Sequence, residues 1–120
     1  MAAASIAKSV LYAAKGRGRR RKVTVSLDAP RKLRGGGVGC LVKFTGVASP
    51  HNVIGEDSMQ ALALAMSYVQ LRVRVLLDAG WSFYFSSGAT EPTDLLQIWF
   101  PHQTMPRWRS NTSLERTRGR

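Results

Sequence analysis

The longest periodic stretch of hydrophobic and polar positions runs from Asp57 to Gly80, and it predicts one long α-helix. Asp57 is a favourable N-cap residue, and Gln60 follows three positions later, as in a capping box. Gly80 can adopt the left-handed backbone conformation that ends a helix. Between these ends the polar residues form one narrow stripe and apolar residues fill the remaining arc. We therefore expect a helix that is buried on most sides.

Two segments before this helix alternate between apolar and polar residues with a period of two, which is typical of half-buried strands. They are residues 23–28 and residues 38–45. Residues 29–37 lie between them and contain Pro30 and three consecutive glycines, so they predict an antiparallel hairpin with a long basic loop. Residues 46–56 are then expected to connect the hairpin to the helix.

Two further strands are predicted after the helix. In residues 81–86, tryptophan and phenylalanine alternate with serine and tyrosine. Residues 95–100 form an apolar run that Pro101 ends. The predicted order is β-β-α-β-β. This order indicates a single α+β domain over residues 22–106, in which the long helix packs on one face of an antiparallel sheet of about four strands.

The two ends of the chain are expected to lie outside this domain. Residues 1–14 contain no acidic residue and predict a short amphipathic helix, which the basic segment 15–22 follows. One interpretation is a basic N-terminal arm over residues 1–21, and the other is an organellar transit peptide. The arm is favoured because the strand pattern begins directly after it. Residues 107–120 are rich in arginine, which predicts a basic, extended or disordered C-terminal tail.

The charge of the chain is its most unusual bulk property. Eighteen lysines and arginines oppose seven acidic residues in 120 residues, which gives a net charge of +11 and a pI near 11.1. Such a balance favours a polyanionic partner, which could be nucleic acid, an acidic protein surface or an anionic membrane. No apolar run reaches about 18 residues, so no membrane-spanning helix is expected.

Few residues could carry chemistry. Cys40 is the one cysteine, which excludes an intrachain disulfide and a multi-cysteine zinc site and agrees with a reducing compartment such as the cytoplasm. It is expected in the core. His51 and His102 are the two histidines and fall in predicted connections, so no metal-ligand spacing is formed. The glycines at 35–39 lack the Gly-Lys-Ser/Thr ending of a phosphate-binding loop. We predict no catalytic residue, no metal and no cofactor.

The basic clusters are the strongest functional signal. Arginines can neutralise phosphates and release counterions, and an exposed indole can stack on an unpaired base. The candidate nucleic-acid-binding residues are Lys15, Arg17, Arg19, Arg20, Arg21, Lys22, Arg31, Lys32, Arg34, Arg107, Trp108 and Arg109.

Three phrases of the sequence resemble a family of small bacterial domains of unknown function. They are VTVSLDAPRKL from residue 23, GEDSMQALALA from residue 55 and FPHQ from residue 100. The family has a strand pair, a helix opening G-x-D-[SA]-x-Q-A-L-x-L-A and a closing F-P-R-Q-like segment. The resemblance covers about residues 22–106 and implies these domain limits and a bacterial or phage-like origin, but no activity. His102 stands where the family pattern has arginine.

Two hypotheses for function follow. The first is a small, non-enzymatic binding protein that engages an anionic partner, nucleic acid in the first place, through its basic arm, loop and tail. The alternative is a protein–protein interaction module, such as an inhibitor, an immunity-like protein or a subunit of a homo-oligomeric or heteromeric assembly. It is based on the apolar helix and on aromatic residues that exceed what four strands cover. These aromatic residues are Trp81, Tyr84, Trp99 and Trp108.

Overall fold

A computed structural model describes residues 4–101, and every structural statement below refers to these residues. The protein is α+β, with a six-stranded antiparallel sheet and one long helix. The elements in chain order are β1 (Ser5–Lys15), β2 (Arg21–Asp28), β3 (Arg31–Lys32), β4 (Val38–Thr45), β5 (His51–Gly55), α1 (Ser58–Asp78), β6 (Trp81–Tyr84) and α2 (Leu95–Trp99).

The sheet is an antiparallel meander, and the last strand, β6, is added beside the first strand, β1. Strands β2 and β3 both pair with β4, and β5 pairs with β4 as well. Strand β1 lies between β2 and β6, and every pairing is antiparallel. The chain therefore crosses the sheet through α1 and returns to place β6 beside β1, the first strand.

The long helix begins and ends at the residues that the sequence predicts. The Asp57 side chain accepts a hydrogen bond from the backbone N–H of Gln60 at 2.8 Å. The Gln60 side chain in turn accepts one from the backbone N–H of Glu56. The first bond satisfies an amide group that the first turn leaves without a helical partner, and the second ties the residue before the N-cap to the same turn. Gly80 has a φ of 97°, the left-handed conformation expected after a helix.

We call the face of the sheet that α1 covers the inner face and the opposite one the outer face. Opposed residues of an antiparallel pair point to the same face, so the register assigns each side chain. The inner face and the helix together form the hydrophobic core, which confirms the predicted core position of Cys40. The inner residues include Leu11, Ala13, Val23, Val25, Leu27, Cys40, Val42, Phe44 and Phe83. The outer residues include Lys8, Val10, Tyr12, Lys22, Thr24, Ser26, Asp28, Lys43 and Tyr84.

The prediction of an N-terminal helix and a basic arm over residues 1–21 was wrong. Residues Ser5–Lys15 form β1, which pairs with β2 on one side and with β6 on the other. Residues 16–20 are the turn of the β1–β2 hairpin. The domain therefore starts before residue 22, because the buried side chain of Leu11 belongs to its core.

The predictions for the chain after the helix were partly wrong. The third predicted strand is present but ends at Tyr84. The fourth predicted strand is instead the short helix α2, in which the Asp94 side chain accepts a hydrogen bond from the backbone N–H of Gln97 at 3.2 Å. The expected connection at 46–56 contains strand β5, so His51 lies in a strand. The sheet therefore has six strands and not about four.

The helix is also less buried than its composition suggests. Its fully buried side chains form one stripe at spacings of three and four residues, and they face the sheet. The opposite side carries exposed apolar residues, of which Leu71 is 57% exposed. The buried stripe consists of Ala61, Ala65, Val69, Val73 and Leu76, and the exposed residues are Met59, Leu64, Leu71 and Val75.

Candidate functional site

The outer face of the sheet carries lysines on three neighbouring strands. Lys8 of β1 lies opposite Ser26 of β2, and Ser26 lies opposite Lys43 of β4. Lys22 of β2 lies opposite Tyr12 of β1. The two helices of the described chain both pack on the inner face, so these lysines point away from the core towards solvent.

Acidic side chains are nearly missing from this face. Among residues 4–101 the outer face has one carboxylate, Asp28, and it is only 3% exposed. Lys43 Nζ lies 3.8 Å from Asp28 Oδ1, which is an ion-pair distance but too long for a hydrogen bond. The other acidic residues of the described chain lie at the ends of α1 and in the segment before α2. These residues are Glu56, Asp57, Asp78, Glu91 and Asp94.

The turn between β1 and β2 adds arginines at one end of the outer face. The Arg20 guanidinium lies 3.5 Å from the centroid of the Tyr84 ring, which is a cation–π contact. Its Nη1 atom donates a hydrogen bond to the Ser87 carbonyl oxygen at 2.9 Å. Arg17 and Arg19 in the same turn are exposed. Arg20 is thus fixed by the fold, whereas a flexible arm had been expected.

Arg21 is the first residue of β2 and lies opposite Ala13, so it is on the inner face, whereas the next residue, Lys22, is on the outer face. The Arg21 Nη1 atom donates a hydrogen bond to the Gly46 carbonyl oxygen at 3.1 Å, and its guanidinium lies 5.6 Å from the Trp81 ring centroid. It therefore joins the β1–β2 turn to the β4–β5 turn. Lys15 lies at the same end of the sheet, opposite Trp81.

The second basic cluster lies at the other end of the sheet. Arg31 and Lys32 form β3, and Arg34 lies in the turn that leads to β4; all three are exposed. Strands β2 and β3 follow one another along β4, so Arg21 and Lys32 lie towards opposite ends of the sheet. The two clusters are therefore far apart, and the outer-face lysines lie between them. The predicted site residues Arg107, Trp108 and Arg109 lie outside the described residues.

Sequence reasoning missed Lys8, Lys43, Tyr12 and the contact that Arg20 makes with Tyr84. The alternation of residues 38–45 placed Lys43 on the polar side of a predicted strand, and this was a usable signal. Lys8 and Tyr12 were missed because their segment was interpreted as a helix, which gives residues different neighbours.

The residues that could carry chemistry are separated from one another. Burial raises the pKa of the Cys40 thiol, and the nearby Asp28 carboxylate raises it further. Its Sγ atom donates to the Asp28 carbonyl oxygen at 3.2 Å. The His51 ring stacks on Tyr68 of α1 with 4.5 Å between centroids. Residues 4–101 contain no group of three or more histidine, cysteine, aspartate or glutamate side chains that could hold a metal ion.

An open pocket of about 380 Å³ lies where the sheet meets the two helices. Small side chains of β1, Ala7 and Ser9, form one wall, and Met66 of α1 and Trp99 of α2 form others. The lining is mostly apolar and brings no pair of titratable side chains together. No helix in residues 4–101 is both long and apolar enough to cross a membrane.

Comparison of the chain with protein-family models, with curated proteins and with solved structures found no match in any of the three. The resemblance to a family of small bacterial domains therefore rests on the motif residues alone and remains a prediction.

Proposed function

We propose that this protein is a non-enzymatic binding protein that engages nucleic acid through the outer face of its sheet and the two basic turns that flank it. The observation that carries the proposal is that the basic and the acidic side chains lie on different parts of the molecule. Among residues 4–101 the outer face has Lys8, Lys22 and Lys43 and one buried carboxylate, whereas the exposed acids lie at the ends of α1 and in the segment before α2.

This separation favours a long anion over a small one. The cationic positions extend from the β1–β2 turn at one end of the sheet to the β3–β4 turn at the other. A phosphate backbone can contact such a row with many charges at once, and each contact releases a counterion. A compact anion would meet only one end of the row.

Salt titration tests the proposal. Binding of a fluorescein-labelled 15-nucleotide oligothymidylate is followed by fluorescence anisotropy between 50 and about 300 mM salt. We expect the logarithm of the association constant to fall linearly with the logarithm of salt concentration, with a slope of about −0.7 per phosphate contact. No binding at the lowest salt concentration, or binding that salt does not weaken, would contradict the proposal.

A matched pair of substitutions locates the surface. Lys22→Gln removes a charge from the outer face, and Arg74→Gln removes one from the exposed side of α1. We expect Lys22→Gln to weaken binding about fivefold near 0.1 M salt and to reduce the slope by about 0.7, as for the loss of one contact. Arg74→Gln should leave the slope unchanged. Equal effects of both would mean that only net charge matters.

The exposed apolar residues of α1 favour a second candidate function, contact with another protein. Leu64, Leu71 and Val75 lie within one narrow arc of the helix, beside Tyr68. Light scattering on wild-type protein and on Leu71→Gln tests it. A multimer that becomes monomeric in Leu71→Gln, but not in the off-arc control Met59→Gln, would support this function. A wild-type monomer at all concentrations would count against self-association.

A further inference from the structure

Two tyrosines lie side by side on the outer face, next to a lysine. Tyr12 of β1 pairs with Tyr84 of β6 on one side and with Lys22 of β2 on the other. Side chains of opposed residues have Cβ atoms about 4.5–5.5 Å apart. Tyr84, Tyr12 and Lys22 therefore form one row across three strands, which we call the tyrosine row.

The two rings of the row differ in what they contact. The Arg20 guanidinium lies against the Tyr84 ring, and its hydrogen bond to the Ser87 carbonyl oxygen fixes it there. Tyr12 is half-buried, and within residues 4–101 its ring makes no stacking or cation–π contact. The row thus presents the Tyr12 ring, which has no stacking partner in these residues, next to Tyr84, on which the Arg20 guanidinium is already held in place.

This arrangement has the chemistry that recognises unpaired bases. Bases stack on tyrosine rings and on guanidinium planes, and the stacking is tolerant of sequence because every base has a π-face. Lys22 stands beside Tyr12, where it can neutralise the phosphate next to a stacked base. In a duplex both faces of each base are already covered by neighbouring pairs, so the rings would gain nothing from it.

We propose that the tyrosine row selects single-stranded over double-stranded nucleic acid, with Tyr12 stacking on one base and the Arg20–Tyr84 pair taking a neighbouring base. This inference rests on the proposed function, because the surrounding lysines supply the affinity for phosphates. It adds the class of nucleic acid and the residues that distinguish it.

The experiment compares three labelled probes at one salt concentration. They are a 15-nucleotide oligothymidylate, a 15-base-pair duplex and a 15-residue abasic strand, which has the phosphates but no bases. We expect wild-type protein to bind the oligothymidylate roughly tenfold more tightly than the abasic strand, and more tightly than the duplex. Equal affinity for the oligothymidylate and the abasic strand, or tighter binding of the duplex, would overturn the inference.

Two substitutions of the same residue test the ring itself. Tyr12→Leu keeps an apolar side chain but removes the π-face, and we expect it to weaken oligothymidylate binding roughly tenfold with no change for the abasic strand or in the salt slope. Tyr12→Phe keeps the ring and should retain wild-type affinity. Tyr68→Leu removes a tyrosine from the helix layer and should change none of these affinities. Thermal unfolding followed by circular dichroism establishes that each variant is folded.

The outcomes separate this inference from the proposal on which it rests. If no probe binds at low salt, the nucleic-acid function itself fails. If all three probes bind with the expected salt slope but Tyr12→Leu binds them as wild-type protein does, only the stacking role fails. A loss in Tyr12→Leu that is equal for all three probes would assign Tyr12 a structural role and also overturn the inference.

Discussion

Val10 and Leu11 are neighbours in β1, yet the Val10 side chain is 41% exposed on the outer face and Leu11 is 0% exposed beneath α1. The same contrast runs across every long strand of the sheet. Most apolar residues of these strands point to the helix, whereas Lys8, Tyr12, Lys22, Thr24 and Lys43 point away from it. The comparison teaches that the same strands support two different surfaces. Substitutions on the outer face should therefore leave the stability of the core intact, and substitutions in the core should leave the charge of the outer face intact.

Truncation of Leu11 and of Val10 gives the largest expected difference. Leu11→Ala leaves a cavity in the core and should lower the free energy of unfolding by about 2–5 kcal/mol. Val10→Ala should change it by about 0.5 kcal/mol or less, since Val10 is already in contact with water. Chemical denaturation with urea measures both. Similar losses for the two variants would mean that Val10 is shielded from water and that the two faces do not differ in this way.

Two glycines give a second test of the difference between packed and exposed positions, since Gly55 lies where the sheet meets the helix and Gly35 lies in an open turn. A Cβ atom added at Gly55 would lie 2.6 Å from the backbone nitrogen of Ala61, whereas at Gly35 it would meet nothing within 4 Å. Gly55→Ala should therefore cost about 1–3 kcal/mol of stability, because backbone cannot move aside easily. Gly35→Ala should stay within about 0.5 kcal/mol of wild type in the same denaturation experiment. A fully stable Gly55→Ala protein would contradict the close packing of α1 on β5.

The smallest expected effect concerns Cys40 and alkaline pH. Burial raises the pKa of this thiol in the folded protein above its value of about 8.5 in an unfolded chain. Above the lower of these two pKa values the unfolded state releases a proton that the folded state retains, so stability falls as the pH rises through that range. Urea denaturation at pH 8 and pH 10 should show a larger loss for wild-type protein than for Cys40→Ala. An identical loss in the two would indicate that water reaches the thiol.

The sequence predicted best where the evidence is local. The helix over Asp57–Gly80 has a cap, a stop and a period of its own, and the segments 23–28 and 38–45 alternate clearly. The prediction for residues 5–15 was wrong because an alanine-rich segment fits a helix as well as a strand. Its identity is decided by pairing with β2 and with the distant β6. Residues 95–100 failed because a short apolar run has no decisive period.

The candidate site was predictable in its charge but not in its geometry. The basic residues at 15–22 and 31–34 are visible in the sequence, yet only the topology shows that they lie at opposite ends of the sheet. The tyrosine row was out of reach, because Tyr12 and Tyr84 meet through a strand pairing that spans most of the domain. The D-x-x-Q pattern at Asp94 and Gln97 was a usable cap signal for α2.

The position of β1 has a consequence for how the molecule is made. Strand β1 is translated before its second partner, Trp81–Tyr84, which follows only after the whole of α1. Until then the edge of β1 along Tyr12–Lys15 has unpaired amide and carbonyl groups, which can pair with another nascent chain. Lys15 and the arginines of the adjoining turn would repel such a copy, so we expect these charges to oppose aggregation of the incomplete sheet.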